Sequence, residues 1–231
     1  MVLDGDFRYS GDCHGDFRKI YAMGLKLNLG PNDYIIVLGD MGLFWRHDRR
    51  DANYFINDFE YEFDFNLYFV DGNHENFKIL NSLPEDENGM GYISKHIRHL
   101  KRGRRYEIDG KSILAIGGAD SVDQFRRTEG LSWWKEETII QEDIDKVEAG
   151  HYDYVLSHTC PLSVFEANKI HLCTLGNIVD DEEPLFKISN NSLEELLNKI
   201  TFNEWYFGHY HVDKRIDEKY TCLYHTFIEL K

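Results

Sequence analysis

Five short polar clusters hold most of the residues here that could do chemistry. They are Gly11-Asp12-Cys13-His14-Gly15, Gly39-Asp40, Gly72-Asn73-His74-Glu75, Ser157-His158 and Gly208-His209-Tyr210-His211. Asp12 and His14 lie two apart, as do His209 and His211, and in an extended segment such residues point to the same side. A carboxylate with an imidazole, or two imidazoles, can then face one pocket from a single strand end. Donors of this kind suit Mn, Fe, Zn or Ni better than Ca or Mg alone. Cys13 should point away from its neighbours, so a thiolate-rich structural zinc site is not expected. The donors Asp12, His14, Asp40, Asn73, His158, His209 and His211 are too many for one tetrahedral ion. They suit two ions sharing one carboxylate, and two ions ~3.5–4 Å apart can clamp an ester phosphate and activate a bridging hydroxide. Asp12, Asp40 and hydroxide cancel only three of the four metal charges, and neutral Asn73 keeps the centre attractive to a phosphoanion.

These clusters need elements to position them. Phe7-Arg8-Tyr9-Ser10 reads as a strand running into the first cluster, followed by a helical pattern from about Phe17 to Leu29. The apolar run Tyr34 to Leu38 reads as a buried strand closed by Gly39-Asp40, and Leu67 to Val70 as another closed by Asp71-Gly72-Asn73-His74, with a helix over Ala52 to Phe63 between them. Arg105 to Ile108 and Ser112 to Ile116 flank Asp109-Gly110, a strong hairpin turn. Glu136 to Glu148 looks helical, Tyr154 to Ser157 is a strand ending at His158, and Ser192 to Ile200 reads as a helix with Ser or Asn as its cap. Glu204 to Phe207 is a strand ending at Gly208, and Arg215 to Leu230 reads as strands around a turn near Glu218. The pattern predicts one layered α/β domain over residues 1–231, with polar clusters at the carboxyl ends of strands, where such sheets bind ligands. Loops such as Ser82 to Tyr92 and Cys160 to Pro184 would shape the pocket.

Composition narrows the function. The chain has 231 residues with 26 Lys and Arg against 41 Asp and Glu, a formal −15. So acidic a surface repels phosphate backbones at long range, which disfavours broad nucleic-acid binding but leaves room for one local positive site. No apolar run approaches the ~18 residues of a membrane span, and the first residues do not read as a secretory signal. Cys13, Cys160, Cys173 and Cys222 lack CxxC spacing and read as reduced thiols, so the expected location is cytoplasmic.

The five clusters, in this order, resemble the calcineurin-like metallophosphoesterases, whose pattern is GDxHG, GD, GNH[DE], a lone His after a strand, and GHxH. The match runs from Gly11 to His211. The resemblance implies a two-sheet β-sandwich flanked by helices, a four-layer αββα fold. It implies that Asp12, His14 and His211 hold one metal, that Asn73, His158 and His209 hold the other, and that Asp40 bridges them. His74 would contact the phosphate and act as general acid, a role an imidazole suits near neutral pH. The protein Ser/Thr phosphatases of the superfamily carry GDxVDRG. Here Leu43 and Phe44 stand where that Asp and Arg would be, which argues against such a phosphatase. Gly117 to Asp123, with Arg126-Arg127 and Ser132-Trp133-Trp134, resembles small bacterial and phage-encoded members. The expected activity is hydrolysis of phosphate mono- or diesters, with a small molecule or nucleotide as the favoured substrate.

Plainer readings stand beside these. A lone histidine such as His158 is usually structural, and only its place in the ordered set makes it a ligand candidate. His47, His96, His99, His151, His171 and His225 have no motif around them and are read as structural. The run Lys101-Arg102-Gly103-Arg104-Arg105 is read as a solvated hairpin edge ahead of a contact with a phosphate backbone or an acidic partner. Arg126 and Arg127 are candidate substrate grips, Asp71 a candidate to orient His74, and Phe44-Trp45 with Trp133-Trp134 either core or a base-stacking wall. A nuclease and a non-catalytic scaffold of the same fold remain the rival functions.

Overall fold

In the computed structural model the described residues are 2–3, 17–45, 50–168, 173–174, 177–178 and 187–229. The expected strand Phe7 to Ser10 and the candidates Asp12 and His14 lie outside them. The first half of the chain runs β1 (Val2–Leu3), α1 (Arg18–Leu27), β2 (Tyr34–Leu38), α2 (Arg50–Glu62), β3 (Asn66–Val70), α3 (Phe77–Leu80), β4 (Gly91–Tyr92), β5 (Ile97–His99), β6 (Arg104–Ile108) and β7 (Lys111–Ile116). The second half adds α4 (Gln141–Lys146), β8 (Gly150–Ser157), α5 (Leu162–Asn168), β9 (Cys173–Thr174), β10 (Asn177–Ile178) and α6 (Ile188–Leu196). It closes with β11 (Ile200–Phe207), β12 (Lys214–Arg215), β13 (Tyr220–Cys222) and β14 (Phe227–Ile228).

Among the described residues two six-stranded sheets form, in the orders β14-β1-β2-β3-β5-β4 and β12-β13-β11-β8-β7-β6. In each, the four inner strands are parallel and the two edge strands antiparallel. Buried on both faces, the inner strands read as continuous apolar runs. Alternation sorts their side chains between layers. On β2, Ile36 and Leu38 face the second sheet and pack with Val70, Ile113, Ala115 and Leu156. Ile35 and Val37 face outward and pack with Ile20 and Met23 of α1 and Phe55 and Phe59 of α2. On the far side, Leu114, Val155 and Trp205 pack with Ile144, Phe165, Leu193 and Leu196 of α4, α5 and α6. Each such fully buried aliphatic or aromatic side chain contributes roughly 1.5–3 kcal/mol. The layers are α, β, β, α, the sandwich flanked by helices that the motif pattern implied.

Two helices differ from expectation. The stretch Glu136 to Glu148 is not one helix; a 3₁₀ turn over Lys135–Glu137 and then α4 are separated by an extended Thr138. Thr138-Ile139-Ile140 is a β-branched run that favours extended backbone, and Ile139 is fully buried there. Helix α6 starts at Ile188 and ends at Leu196, four residues earlier at each end, with Lys187 at its N-cap. The Ser and Asn residues taken for caps face sideways. Ser189 Oγ accepts from the Ile139 N–H, Ser192 Oγ donates to the Ile139 carbonyl, and Asn190 Nδ2 donates to the Cys160 carbonyl.

Candidate functional site

The register sets the site. Leu38 lies opposite Val70, and Ile116 opposite Ser157, so the turns after β2, β3, β7, β8 and β11 emerge at one end of the sandwich. Backbone bonds tie the turns together: the Gly208 N–H donates to the His158 carbonyl at 2.9 Å, and the Gly118 N–H to the Asp71 carbonyl at 2.8 Å. Gly72 is needed for this approach, since a Cβ there would stand 2.2 Å from Asp40 Oδ1. Five described non-glycine residues have positive φ: Asn28, Asp40, Asp109, His209 and His211. Asn28 caps α1 and Asp109 makes the hairpin turn; the other three are ligand candidates. Backbone held in this sparsely populated region concentrates at functional sites. It also corrects one expectation, because His209 and His211 do not share a side by extended geometry; each sits in a left-handed bend.

His158, fully buried, is the centre of the cluster. Its Nδ1 lies 2.6 Å from the Leu38 carbonyl oxygen, which can only accept, so Nδ1 carries the proton and Nε2 presents its lone pair. That Nε2 faces Asp40 Oδ2 at 3.3 Å and Asn73 Oδ1 at 3.2 Å. Three such atoms turned toward one another can hold a cation between them. Ligands about 2.1 Å from a common ion stand about 3.0–3.4 Å apart at octahedral to tetrahedral angles, so the spacing fits a divalent metal. A second-layer carbonyl on the far ring nitrogen is also how metal-binding histidines are oriented. The His209 ring is 5.0 Å from that of His158, and burial, with His158 nearby, holds His209 well below the ordinary histidine range, which favours the neutral ring. His211 stacks on Tyr224 at 5.0 Å. The described residues therefore bring together Asp40, Asn73, His158 and His209, with His211 beside them. Among the described residues alone, no three His, Cys, Asp or Glu side chains form a complete metal-binding group.

Beside the cluster, the His74 N–H donates to Asp40 Oδ1 at 2.8 Å. Arg127 separates from Arg126 here. Arg127 Nη2 lies 2.9 Å from His74 Nε2 and also pairs with Asp123 at 2.7 Å, while its buried Nη1 has no hydrogen-bond partner among the described residues. Arg126 is exposed and lies over Phe125. Trp45 stands edge-on to His74 at 4.7 Å, whereas Leu43, Phe44 and Trp134 are buried. Asp71 does not orient His74. Its carboxylate pairs with Arg102 and with His99 Nε2 at 3.2 Å, and those partners hold it far below the usual carboxylate range despite burial. Sequence reasoning missed Glu75, fully buried with Oε1 accepting the Gly42 N–H at 3.2 Å; burial and the neighbouring Asp40 push its carboxyl well up.

Four of the remaining histidines, read as structural, have neighbours outside the ligand cluster. His96 pairs with Glu60, His99 with Asp71, His151 with Thr201, and His225 packs on Tyr224; His47 and His171 lie outside the described residues. The basic run leads into β6, an edge strand as expected, but Arg102 turns inward and is half-buried between Asp71 and Asp143. Lys101 and Arg104 both pair with Glu85. A cleft of about 840 Å³ opens beside Asp71, lined by His99, Arg102, Trp133 and Lys135 among others.

Glu137 had no sequence signal. It is 1% exposed, and burial pushes its carboxyl up to about 8. The unfolded chain releases this proton near 4.5 and the folded chain near 8, so between those values the folded state binds more protons and stability falls as pH rises, by up to about 1.4 kcal/mol per unit. Glu137→Gln keeps the oxygen that accepts the Ser121 N–H and removes the titration. Melting temperatures from pH 5 to 8 should decline less in the variant than in the parent; parallel curves would disprove the assignment.

Among the described residues no helix is long and apolar enough to cross a membrane. No curated protein matches this sequence. The model of the calcineurin-like phosphoesterase family matches residues 9–213, a span that contains all five polar clusters and four of the six strands of each sheet, and the chain belongs to that family.

Proposed function

We propose that the chain hydrolyses phosphate mono- or diesters at a two-metal centre, with a small molecule or nucleotide as substrate. The observation that carries this is the meeting of His158 Nε2, Asp40 Oδ2 and Asn73 Oδ1 within 3.3 Å at the end of the sandwich. Asp12, His14 and His211 would hold one ion, Asn73, His158 and His209 the other, with Asp40 between them and Mn²⁺ the first candidate. When bound, the ions supply Lewis-acid polarisation of the phosphoryl group and activation of water. The chain's own residues do the rest. Arg127, its Nη1 buried and without a hydrogen-bond partner among the described residues, offers a donor to a phosphate oxygen. His74, beside it, is placed to give a proton to the departing oxygen, and Trp45 walls the ring. A protein phosphatase is disfavoured because buried Leu43 and Phe44 stand in place of polar grips. A nuclease is disfavoured because the basic run is consumed by internal ion pairs. Residues 1–231 are taken as one phosphoesterase domain working in the cytoplasm.

The test is turnover of paired aryl phosphate mono- and diesters by metal-stripped protein re-supplied with Mn²⁺ while bound metal is counted. Activity should return as occupancy approaches two ions per chain, and the preferred ester sets the substrate class. A chain that takes up no metal would overturn the reading in favour of a scaffold.

A further inference from the structure

The segment Gly117-Gly118-Ala119-Asp120-Ser121, which leaves β7, is laid against the turn that carries Asn73 and His74. A Cβ on Gly117 would stand 2.3 Å from the Asp71 carbonyl oxygen and 2.7 Å from the Asp71 nitrogen, so only glycine lets the two backbones lie this close. The Ala119 N–H donates to the Glu137 carbonyl at 3.1 Å, which binds the segment to the 3₁₀ turn on its other side. Ser121, 2% exposed, sits between the two. Its Oγ accepts from Asn73 Nδ2 at 3.0 Å, and its N–H donates to Glu137 Oε1 at 2.7 Å.

An asparagine presents either an acceptor or a donor, depending on how its amide is turned, and only the acceptor can bind a cation. With Nδ2 committed to Ser121, Oδ1 is the atom that faces His158 Nε2 at 3.2 Å. We propose that Ser121, keyed by Glu137, is a positioning residue for Asn73: it takes up the amide N–H and so presents Oδ1 to the metal. Burial supports this use of Glu137, since a carboxyl pushed up to about 8 accepts the Ser121 N–H at neutral pH without adding a negative charge under the cluster. The same stretch continues to Asp123, which holds Arg127 against His74, so one segment fixes the two neighbouring residues of the Gly72-Asn73-His74-Glu75 cluster. The inference rests on the two-metal reading.

Calorimetric titration of the metal-stripped full chain with Mn²⁺ tests it. Ser121→Ala should weaken one Mn²⁺ step by roughly 10- to 100-fold, the usual effect of losing a residue that orients a ligand, while the metal-free melting temperature barely moves. In an Asn73→Ala background the Ser121→Ala change should cost nothing further, because the amide it orients is gone. Glu137→Gln keeps the acceptor for the Ser121 N–H and should keep the affinity, while Glu137→Ala should lose it; this pair repeats the test from the other end of the relay. Unchanged Mn²⁺ affinity in Ser121→Ala, or an equal loss with and without Asn73, overturns the inference and leaves the metal reading intact. A parent chain that binds no Mn²⁺ overturns both.

Discussion

Asp40→Ala should fold and lose turnover by about 10³-fold or more, the largest effect expected of any single substitution in this chain. Both oxygens of Asp40 are committed: Oδ1 accepts the His74 N–H at 2.8 Å, and Oδ2 faces His158 Nε2 at 3.3 Å. A bridging carboxylate supports both ions at once, and losing several kcal/mol of transition-state stabilisation removes about one decade of rate per 1.36 kcal/mol. Asp40→Asn separates the possible causes. Asparagine keeps the shape and the acceptor for the His74 N–H but not the charge. It should fold at least as well as the parent, because Asp40 is 2% exposed and a neutral amide costs less to bury than a carboxylate. Asn and Ala variants that melt like the parent yet bind less metal and turn over poorly would place the loss in the centre. Full turnover by either well-folded variant would remove Asp40 from it.

How much of this was legible in the sequence depended on distance along the chain. Strands β2, β3, β7, β8 and β11 announced themselves as apolar runs stopped by glycine and polar residues, because strands buried on both faces carry an unbroken local signal. The described ligand candidates Asp40, Asn73, His158, His209 and His211 came with them, since each sits one to four residues past such a strand. The helix α6 was misplaced because Ser189, Asn190 and Ser192, good capping types, bond to residues 30 to 53 positions away instead. The inward turn of Arg102 was equally hidden: its partners Asp71 and Asp143 are 31 and 41 positions away, and in sequence it is one cation in a basic run. The Arg126-Arg127 pair shows the same limit. Chemically the two are identical; the 3₁₀ turn over Gln124–Arg126 sends one side chain over Phe125 and leaves the other at His74. Backbone conformation at His209 and His211 was misjudged because two-residue spacing fixes a side only when the strand continues, and β11 stops at Phe207.

His74→Ala should produce the second-largest effect, and its size should depend on the leaving group. A guanidinium only donates, so His74 Nε2 accepts from Arg127 Nη2, and the ring in this arrangement carries its proton on Nδ1. A proton matters most to an oxygen that leaves poorly. With an alkyl phosphate ester the alanine variant should lose about 10²–10⁴-fold, the range of general acid catalysis, and with a nitrophenyl ester no more than about tenfold. Arg127→Lys gives the contrast. A point charge on a flexible stem replaces neither the planar hold on a phosphate oxygen nor the contact with His74. Because gripping the phosphate is needed whatever departs, its loss should be similar on both esters. Equal losses for His74→Ala on the two esters would take the proton-donating role away from His74 and leave it a phosphate contact. A leaving-group-dependent loss for Arg127→Lys would mean that the guanidinium acts through the imidazole ring and not on the phosphate.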